Sequence, residues 1–424
     1  RPKGVRTPRE VTGTIQLSAD KTARQLPPID RGKDAWLFLA ACFVREALVW
    51  GFAFTCGVFQ AYYSKRPEFK NSGNLAVIGT CAMEGSDGIM RRNLTPRVRR
   101  WRPDDVSCFS PEFPLDQRDQ PYHQPGNLFY ALGGSVAYLP CILLMEDWFE
   151  KRKGLAFGVM WAGTGLGGVV LPIVMEQLLN RYGFPIALRA FAIALFILTA
   201  PLVCFVKPRV PVSQRPKAPV PNLRFLITST FALFEICNII EALGFFLPSI
   251  YLPTYAGVIG ASTSLQALTV ILFYVAPVVG CVVMGAIIDK WDVTTCILVS
   301  TIGSTIGVFL IWGFSMSLAP LFVFSIVYGL FAGSYTSTWP VIMRDVVRKK
   351  SSAESSMVFA CQAAGRGIGN LVSGPLSEAL IKDMPWKSQA GCGYGSGYGS
   401  LIVFTGITGV IGGGSYVARC FRWI

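Results

Sequence analysis

Histidine is almost absent from this chain of 424 residues, which holds only His123, and charge is scarce, with Asp, Glu, Lys and Arg together making up 15% of the residues. One imidazole in a polar stretch leaves His-based metal sites and Ser-His-Asp catalysis almost nothing to build on. The 12 Cys include no CxxC pair. Cys42, Cys56, Cys141, Cys204, Cys237, Cys281, Cys296 and Cys361 lie inside apolar runs, as small buried side chains rather than a disulfide framework. No phosphate loop is present either: the GxG patterns fall within apolar runs, which excludes nucleotide binding, and no cofactor or metal is implied. An enzyme is the poorest reading of such a chain.

Soluble domains carry roughly 25% charged residues. The shortfall here accompanies 52% hydrophobic residues, 29 Phe, 43 Gly and a mean hydropathy of +0.45. This balance calls for long apolar spans rather than one water-facing core. A helix crossing about 30 Å of hydrocarbon needs roughly 20 mostly apolar residues. Ten such runs fall near 35–60, 128–145, 155–179, 184–206, 225–250, 265–288, 295–313, 318–343, 357–380 and 400–420, and an eleventh, Asn74 to Met83, is half as long. The expected fold class is an all-α integral membrane protein in a lipid bilayer, multi-pass, with about ten to eleven helices. The chain divides into a basic tail (1–34), a helical half (35–206), a central loop (207–224) and a second helical half (225–424).

Lys and Arg in short loops mark the cytoplasmic side. The loop Lys207 to Arg224 has five basic residues and no acidic one, Arg344 to Lys350 is basic, and Arg419 and Arg422 close the chain. Tyr251 to Ser264 and Ser315 to Ser317 carry no charge. Central loop and both termini are therefore expected in the cytoplasm, with the plasma membrane as the host. The low-complexity stretch Gly391 to Ser400 reads as a flexible external loop. Much of the net charge of +14 is this orientation signal, not a nucleic-acid surface. Residues 1–33 have eight basic and three acidic side chains without an apolar core, so no signal peptide is expected there.

Parity exposes a conflict. Counting back from the central loop places 84–127 outside; counting forward through runs at 35 and 74 places the same residues inside. The segment 84–126 has seven Arg, seven acidic residues, no Lys and six Pro, and contains no span.

Several motifs carry a family resemblance. DRGKDAW (Asp30 to Trp36) with GFAFTCGVF (Gly51 to Phe59), WFEKRKGLAFGVMWAGTGLGG (Trp148 to Gly168) with RYGF (Arg181 to Phe184), GAIIDK (Gly285 to Lys290) and AGRGIGNLVSGPLSEAL (Ala364 to Leu380) resemble the fungal branch of the monocarboxylate-transporter-like family within the major facilitator superfamily. The resemblance implies a major facilitator fold of two six-helix halves rocking around a central site. On that plan the ten runs are helices 1 and 4 to 12, the half-run opens helix 2, and helix 3 is missing. The simplest account is that 84–126 is a misread or frameshifted stretch replacing most of helix 2 and all of helix 3; an alternative frame encoding two apolar helices is its expected sign in the transcript. The competing account is a genuine external loop. The resemblance also implies a conformational motif loop at Gly285, Asp289 and Lys290. Animal-type members are associated with a Lys in helix 1 and an Asp and Arg on helix 8. Here the first position reads Phe54, and 265–288 holds no charge. Proton-coupled lactate or pyruvate transport is thus not supported by these residues.

Charges inside a span need a partner or a wet cavity, so the few present are informative. Gln362, Arg366 and Asn370 recur every four residues on one helical face. The guanidinium of Arg366 suits a carboxylate, because its fork donates two parallel hydrogen bonds; the other reading is an ion pair inside the bundle. Glu235, Asn238 and Glu241 step by three. Glu235 or Glu241 is a candidate proton carrier or the partner of Arg366. Arg45 and Glu46, adjacent at mid-span, point about 100° apart, so one faces the cavity and the other needs a partner. Tyr335 and Trp339, read as sharing a helical face, join Trp161 as rings for stacking on a flat solute, with plain packing as the alternative. Gly154 and Gly158, Gly163 and Gly167, and Gly365 and Gly369 are small-xxx-small pairs that let helices approach closely.

The expected function is a transporter that moves a small organic solute, a carboxylate or other organic anion, alone or with a proton, by alternating access. Arg366, Gln362, Asn370, Arg45, Glu46, Tyr335, Trp339 and Trp161 are its expected binding residues. The alternatives are a non-functional relic or misread gene product of such a carrier, and a transporter of a non-monocarboxylate metabolite or vitamin.

Overall fold

The computed structural model describes residues 26–55, 58, 125–210, 223–350, 353–421 and 423. The half-run at 74–83 and the segment 84–124 lie outside the described residues, as do the core of the central loop and most of the basic tail. Among the described residues there is no strand. All ten long runs are helical: α1 (Lys33–Ala53), α2 (Pro125–Trp148), α3 (Lys153–Tyr182), α4 (Phe184–Thr199), α5 (Ser229–Phe245) continued by α6 (Leu247–Val258), α7 (Thr263–Ile288), α8 (Val293–Ile306) with a π-turn to Trp312, α9 (Leu318–Ala332), α10 (Trp339–Lys349), α11 (Ser355–Ile381), and α12 (Gly399–Gly412) continued by α13 (Gly414–Cys420). Among the described residues eight helical stretches are long and apolar enough to cross a membrane. Their outward faces are bare and apolar, as with Ile193 and Ile197 on α4, Val279 on α7 and Val323 on α9. Water tolerates no such continuous apolar belt on a soluble surface, whereas lipid requires one.

Three boundaries differ from the sequence reading. Tyr251 to Val258 is helix, not loop, because Pro248 sits at the start of α6 with its φ preset for a helix and no N–H to lose. The break falls at Phe246 instead. Arg344 to Lys349 extends α10 and is not a loop. Gly391 to Ser400 is not a loose loop but a packed one. Gly393 is closed in by the carbonyls of Trp312 and Gly313 and the hydroxyl of Tyr255, Tyr394 Oη donates to Phe309 O at 2.8 Å, and Tyr398 lies against Tyr255. The tyrosines of that stretch supply ring area that its low-complexity composition disguised.

A close contact joins α3, before the central loop, to α7, after it. A methyl group on Gly158 would stand 2.2 Å from Cys281 O, and one on Gly154 would stand 2.6 Å from Gly285 O. Only glycine lets these backbones approach so closely. On its other side α3 meets α1, where Gly163 and Gly167 face the carbonyls of Phe43 and Ala47. Gly365 and Gly369 bring α11 against α5.

Candidate functional site

Between α1, α2, α3, α5, α7, α10 and α11 lies a central cavity of about 140 Å³. By the usual allowance for one water this is room for roughly ten water-sized bodies, the scale of a small organic molecule. Half of its lining residues are aromatic: Trp50 and Phe54 from the α1 region, Tyr138 from α2, Trp161 from α3, Phe245 and Phe246 at the α5–α6 break, Phe273 and Tyr274 from α7, Trp339 from α10 and Phe359 from α11. Four rings form a closed circuit. Tyr138 and Phe359 lie 6.4 Å apart, Phe359 and Trp339 5.5 Å, Trp339 and Trp161 6.1 Å, and Trp161 Nε1 donates to Tyr138 Oη at 2.9 Å.

The polar groups in the wall are few. Glu46 is buried and accepts a hydrogen bond from Thr164 Oγ1 at 2.9 Å. Arg366 donates through Nη1 to Glu241 Oε2 at 2.6 Å, both side chains being more than nine-tenths buried, and its guanidinium lies 4.6 Å from the centre of the Phe245 ring. Asn370, one turn beyond Arg366, also reaches the wall.

Of the residues expected to bind the solute, the cavity brings together Arg366, Asn370, Glu46, Trp339 and Trp161. Three expected residues stand elsewhere. Arg45 turns from the cavity to lie against Cys141 of α2, as its 100° offset from Glu46 allows. Gln362 is fully buried one turn before Arg366 and outside the wall, and Asn238 Nδ2 of α5 donates to its main-chain carbonyl at 2.8 Å. Tyr335 is buried outside the wall. It belongs to a 3-10 turn, Tyr335–Thr338, which gives way to α10 at Trp339. At three residues per turn a spacing of four no longer superposes side chains, so Tyr335 and Trp339 do not share a face. Of the two proton-carrier candidates, Glu241 is the partner of Arg366, and Glu235 packs with its carboxylate against Gly365. The rings of Trp50, Phe54, Tyr138, Tyr274 and Phe359 were not singled out from sequence as wall residues, since aromatics inside apolar runs show no period that separates wall from core.

The end of the bundle that carries the central loop is shut by two carboxylates. Asp289, just after α7, accepts the N–H groups of Gly154 at 2.7 Å and Leu155 at 3.0 Å, capping the start of α3 from across the bundle. Asp30, ahead of α1, accepts from Glu150 at 3.0 Å, Lys151 at 3.0 Å and Arg152 at 3.1 Å, while its own N–H donates to Trp148 O at 2.9 Å. Asp30 holds positive φ, which Asp tolerates better than most residues. One turn, 150–155, is thus gripped from both sides. Of the motif-loop residues, Gly285 and Asp289 are in this contact and Lys290 is exposed beside it.

The two carboxylates titrate in opposite senses. Burial raises the Asp289 pKa and outweighs the N–H groups of Leu155 and Gly154. At Asp30 burial acts the same way, but the N–H donors of Lys151, Arg152 and Glu150 with the charge of Arg152 win, and the pKa is lowered. The Asp289 contribution to closure is therefore complete at low pH and is lost as pH rises through its raised pKa; the Asp30 contribution is present above the ordinary Asp range and is lost as pH falls through its lowered pKa. Closure should strengthen as pH falls from neutral toward the upper part of the carboxylate range. Spin labels at exposed Lys151 and Lys290 read this as a growing short-distance fraction, and Asp289→Asn should flatten that pH response. An unchanged response in Asp289→Asn contradicts the assignment.

Comparison with known proteins places the geometry in context. The sequence matches the profile of the Major Facilitator Superfamily over residues 126–262 and 234–412. It is 28% identical over 283 residues to an MFS-type transporter of Ophiocordyceps sp., which covers 66% of this chain and 60% of that relative, so the chain spans less than two thirds of that relative's length. It is 23% identical over 432 residues to an MFS transporter of Aspergillus flavus, covering 98% of this chain and 94% of the relative. To the aspyridones efflux protein of Emericella nidulans it is 24% identical over 377 residues, covering 86% of this chain and 75% of the relative.

Proposed function

The chain belongs to the Major Facilitator Superfamily, and on that premise we propose that it is a secondary transporter that carries a small organic solute through the central cavity by alternating access. The observation that carries this reading is the placing of the cavity between elements from both sides of the central loop. Trp161 and Tyr138 precede the loop, Trp339, Phe359 and Arg366 follow it, and the glycine-lined α3–α7 contact with its Asp289 cap is the seam along which the two parts separate. A solute bridging both walls gains contacts only when the seam closes, which is how its binding couples to the movement. We place the central loop and both termini in the cytoplasm and the protein in the plasma membrane, from the basic charge of 207–224 and of the tails. The relatives' names, transporter and efflux protein, agree with carriage of a metabolite.

The carboxylate reading has one specific observation behind it, Arg366 in the wall. In this state its guanidinium is already paired with Glu241. An anionic solute would bind once a proton on Glu241 had released Arg366, which would make Glu241 the coupling carboxylate of a proton-linked carrier.

Counterflow in proteoliposomes loaded with a panel of flat aromatic neutrals, aromatic carboxylates and short aliphatic acids tests the carrier reading. Saturable, solute-specific counterflow is the expected result. No saturable flux of any panel member would leave the relic reading in its place, which 84–126 already favours as a stretch without a span.

A further inference from the structure

We propose that the transported solute is a flat, uncharged aromatic carbonyl compound that also bears a hydroxyl or N–H group. This rests on the carrier reading above and narrows it from an organic solute to a chemical class.

The first constraint is planarity. The circuit of Tyr138, Phe359, Trp339 and Trp161 draws two rings from helices before the central loop and two from helices after it. Aromatic faces and edges so arranged favour another ring among them, in stacked or edge-on contact.

The second constraint comes from the hydrogen-bonding groups of the wall. The indole N–H of Trp161 is taken by Tyr138. Those of Trp50 and Trp339, both wall residues, have no partner within the protein, although Trp339 is 5% exposed. An indole N–H donates and never accepts, so what satisfies these two is an acceptor oxygen. Asn370 supplies the complement, since its Oδ1 is buried without a partner and accepts a hydrogen bond from an O–H or N–H. Buried polar groups without partners are costly, so a solute that matches all three is bound in preference to one that does not.

The third constraint is charge. Among the described wall residues Arg366 is the one cation, and Glu241 holds it at 2.6 Å. A carboxylate must displace Glu241, and an ammonium group offers the indoles no acceptor. A bare hydrocarbon ring leaves all three polar groups unmatched. An aromatic ketone, lactam or phenolic carbonyl answers each of them.

Equilibrium binding to the full chain in lipid nanodiscs distinguishes these cases with three ligands of nearly equal shape: carbostyril (a neutral bicyclic lactam), naphthalene and naphthoate. Carbostyril is expected to bind at least about tenfold more tightly than the other two, the value of one to two well-made hydrogen bonds. Trp339→Phe keeps a ring and removes the N–H. It should weaken carbostyril about tenfold and leave naphthalene unchanged. Trp50→Phe gives the same reading if Trp339→Phe fails to fold, as judged by its melting profile. Tighter binding of naphthoate, equal binding of naphthalene, or carbostyril affinity unmoved in both variants overturns the proposal. Saturable counterflow of naphthoate without carbostyril binding removes the solute class and leaves the carrier. Absence of counterflow for every panel member removes the carrier reading itself.

Discussion

Arg366→Ala should cost this protein about 3–5 kcal/mol of stability, the usual loss when one partner of a buried ion pair is removed. Glu241 stays behind, more than nine-tenths buried, with its 2.6 Å partner gone. Of the rings beside the pair, Phe245 at 4.6 Å from the guanidinium has no donor to offer, and Tyr335 at 6.0 Å offers the carboxylate only a neutral hydroxyl in place of a charge-assisted bond. Thermal unfolding in detergent should show a drop on the order of 10 °C. Adding Glu241→Gln to Arg366→Ala should recover most of it, because the cost lies in the stranded charge rather than in lost packing. A double variant no more stable than Arg366→Ala alone would mean that Arg366 is held chiefly by packing and that the pair is incidental.

The second large effect is expected at the seam. In Gly158→Val the new Cβ stands 2.2 Å from Cys281 O and 3.0 Å from Cys281 C, with Gly285 Cα at 3.3 Å. These are backbone atoms on a helix and cannot swing aside as a flexible side chain would. The two helices must separate, which breaks the neighbouring Asp289 cap on Gly154 and Leu155. Transport of whichever panel solute the unaltered chain carries should fall by about 5- to 150-fold while the chain still inserts in the membrane, since overpacking of this kind costs typically 1–3 kcal/mol and here acts wholly on the closed state. Gly391→Val is the control. Nothing lies within 4 Å of its added Cβ, and its transport should match the unaltered chain. Retention of normal flux in Gly158→Val would show that the α3–α7 contact takes no part in the cycle.

The parts of this molecule that were legible in its sequence are those that a bilayer makes obligatory. Each of the ten apolar runs is a helix because hydrocarbon admits little else, and the glycine pairs at 154–158 and 163–167 signal close approach without naming the partner. Arg366 and Glu241 stood out because charge in a span is rare, yet only the assembled bundle joins residues 125 positions apart. The misplacements have local causes. Gln362 has the right spacing from Arg366 but is buried outside the wall, its main-chain carbonyl held by Asn238 of α5. Tyr335 and Trp339 were separated by a 3-10 turn that helical spacing does not anticipate. Asp30 acts through main-chain N–H groups 120 to 122 residues away, and a capping contact between distant segments leaves no periodic trace. The cavity rings were hidden for the opposite reason. Phe, Trp and Tyr are common throughout these spans, and which of them line a wall is settled only where helices from both sides of the central loop come together.

The central claim is that the two sides of the molecule separate along the α3–α7 seam around a solute held between them. Pulsed electron-electron distance measurement between labels at Lys151 and Lys290, both exposed and flanking the Asp289 cap, tests it directly. Two distance populations are predicted, a short one matching the closed contact and a longer one, with the ratio shifting when a transported solute is added. One distance, unchanged by every solute of the counterflow panel and by pH, would contradict it.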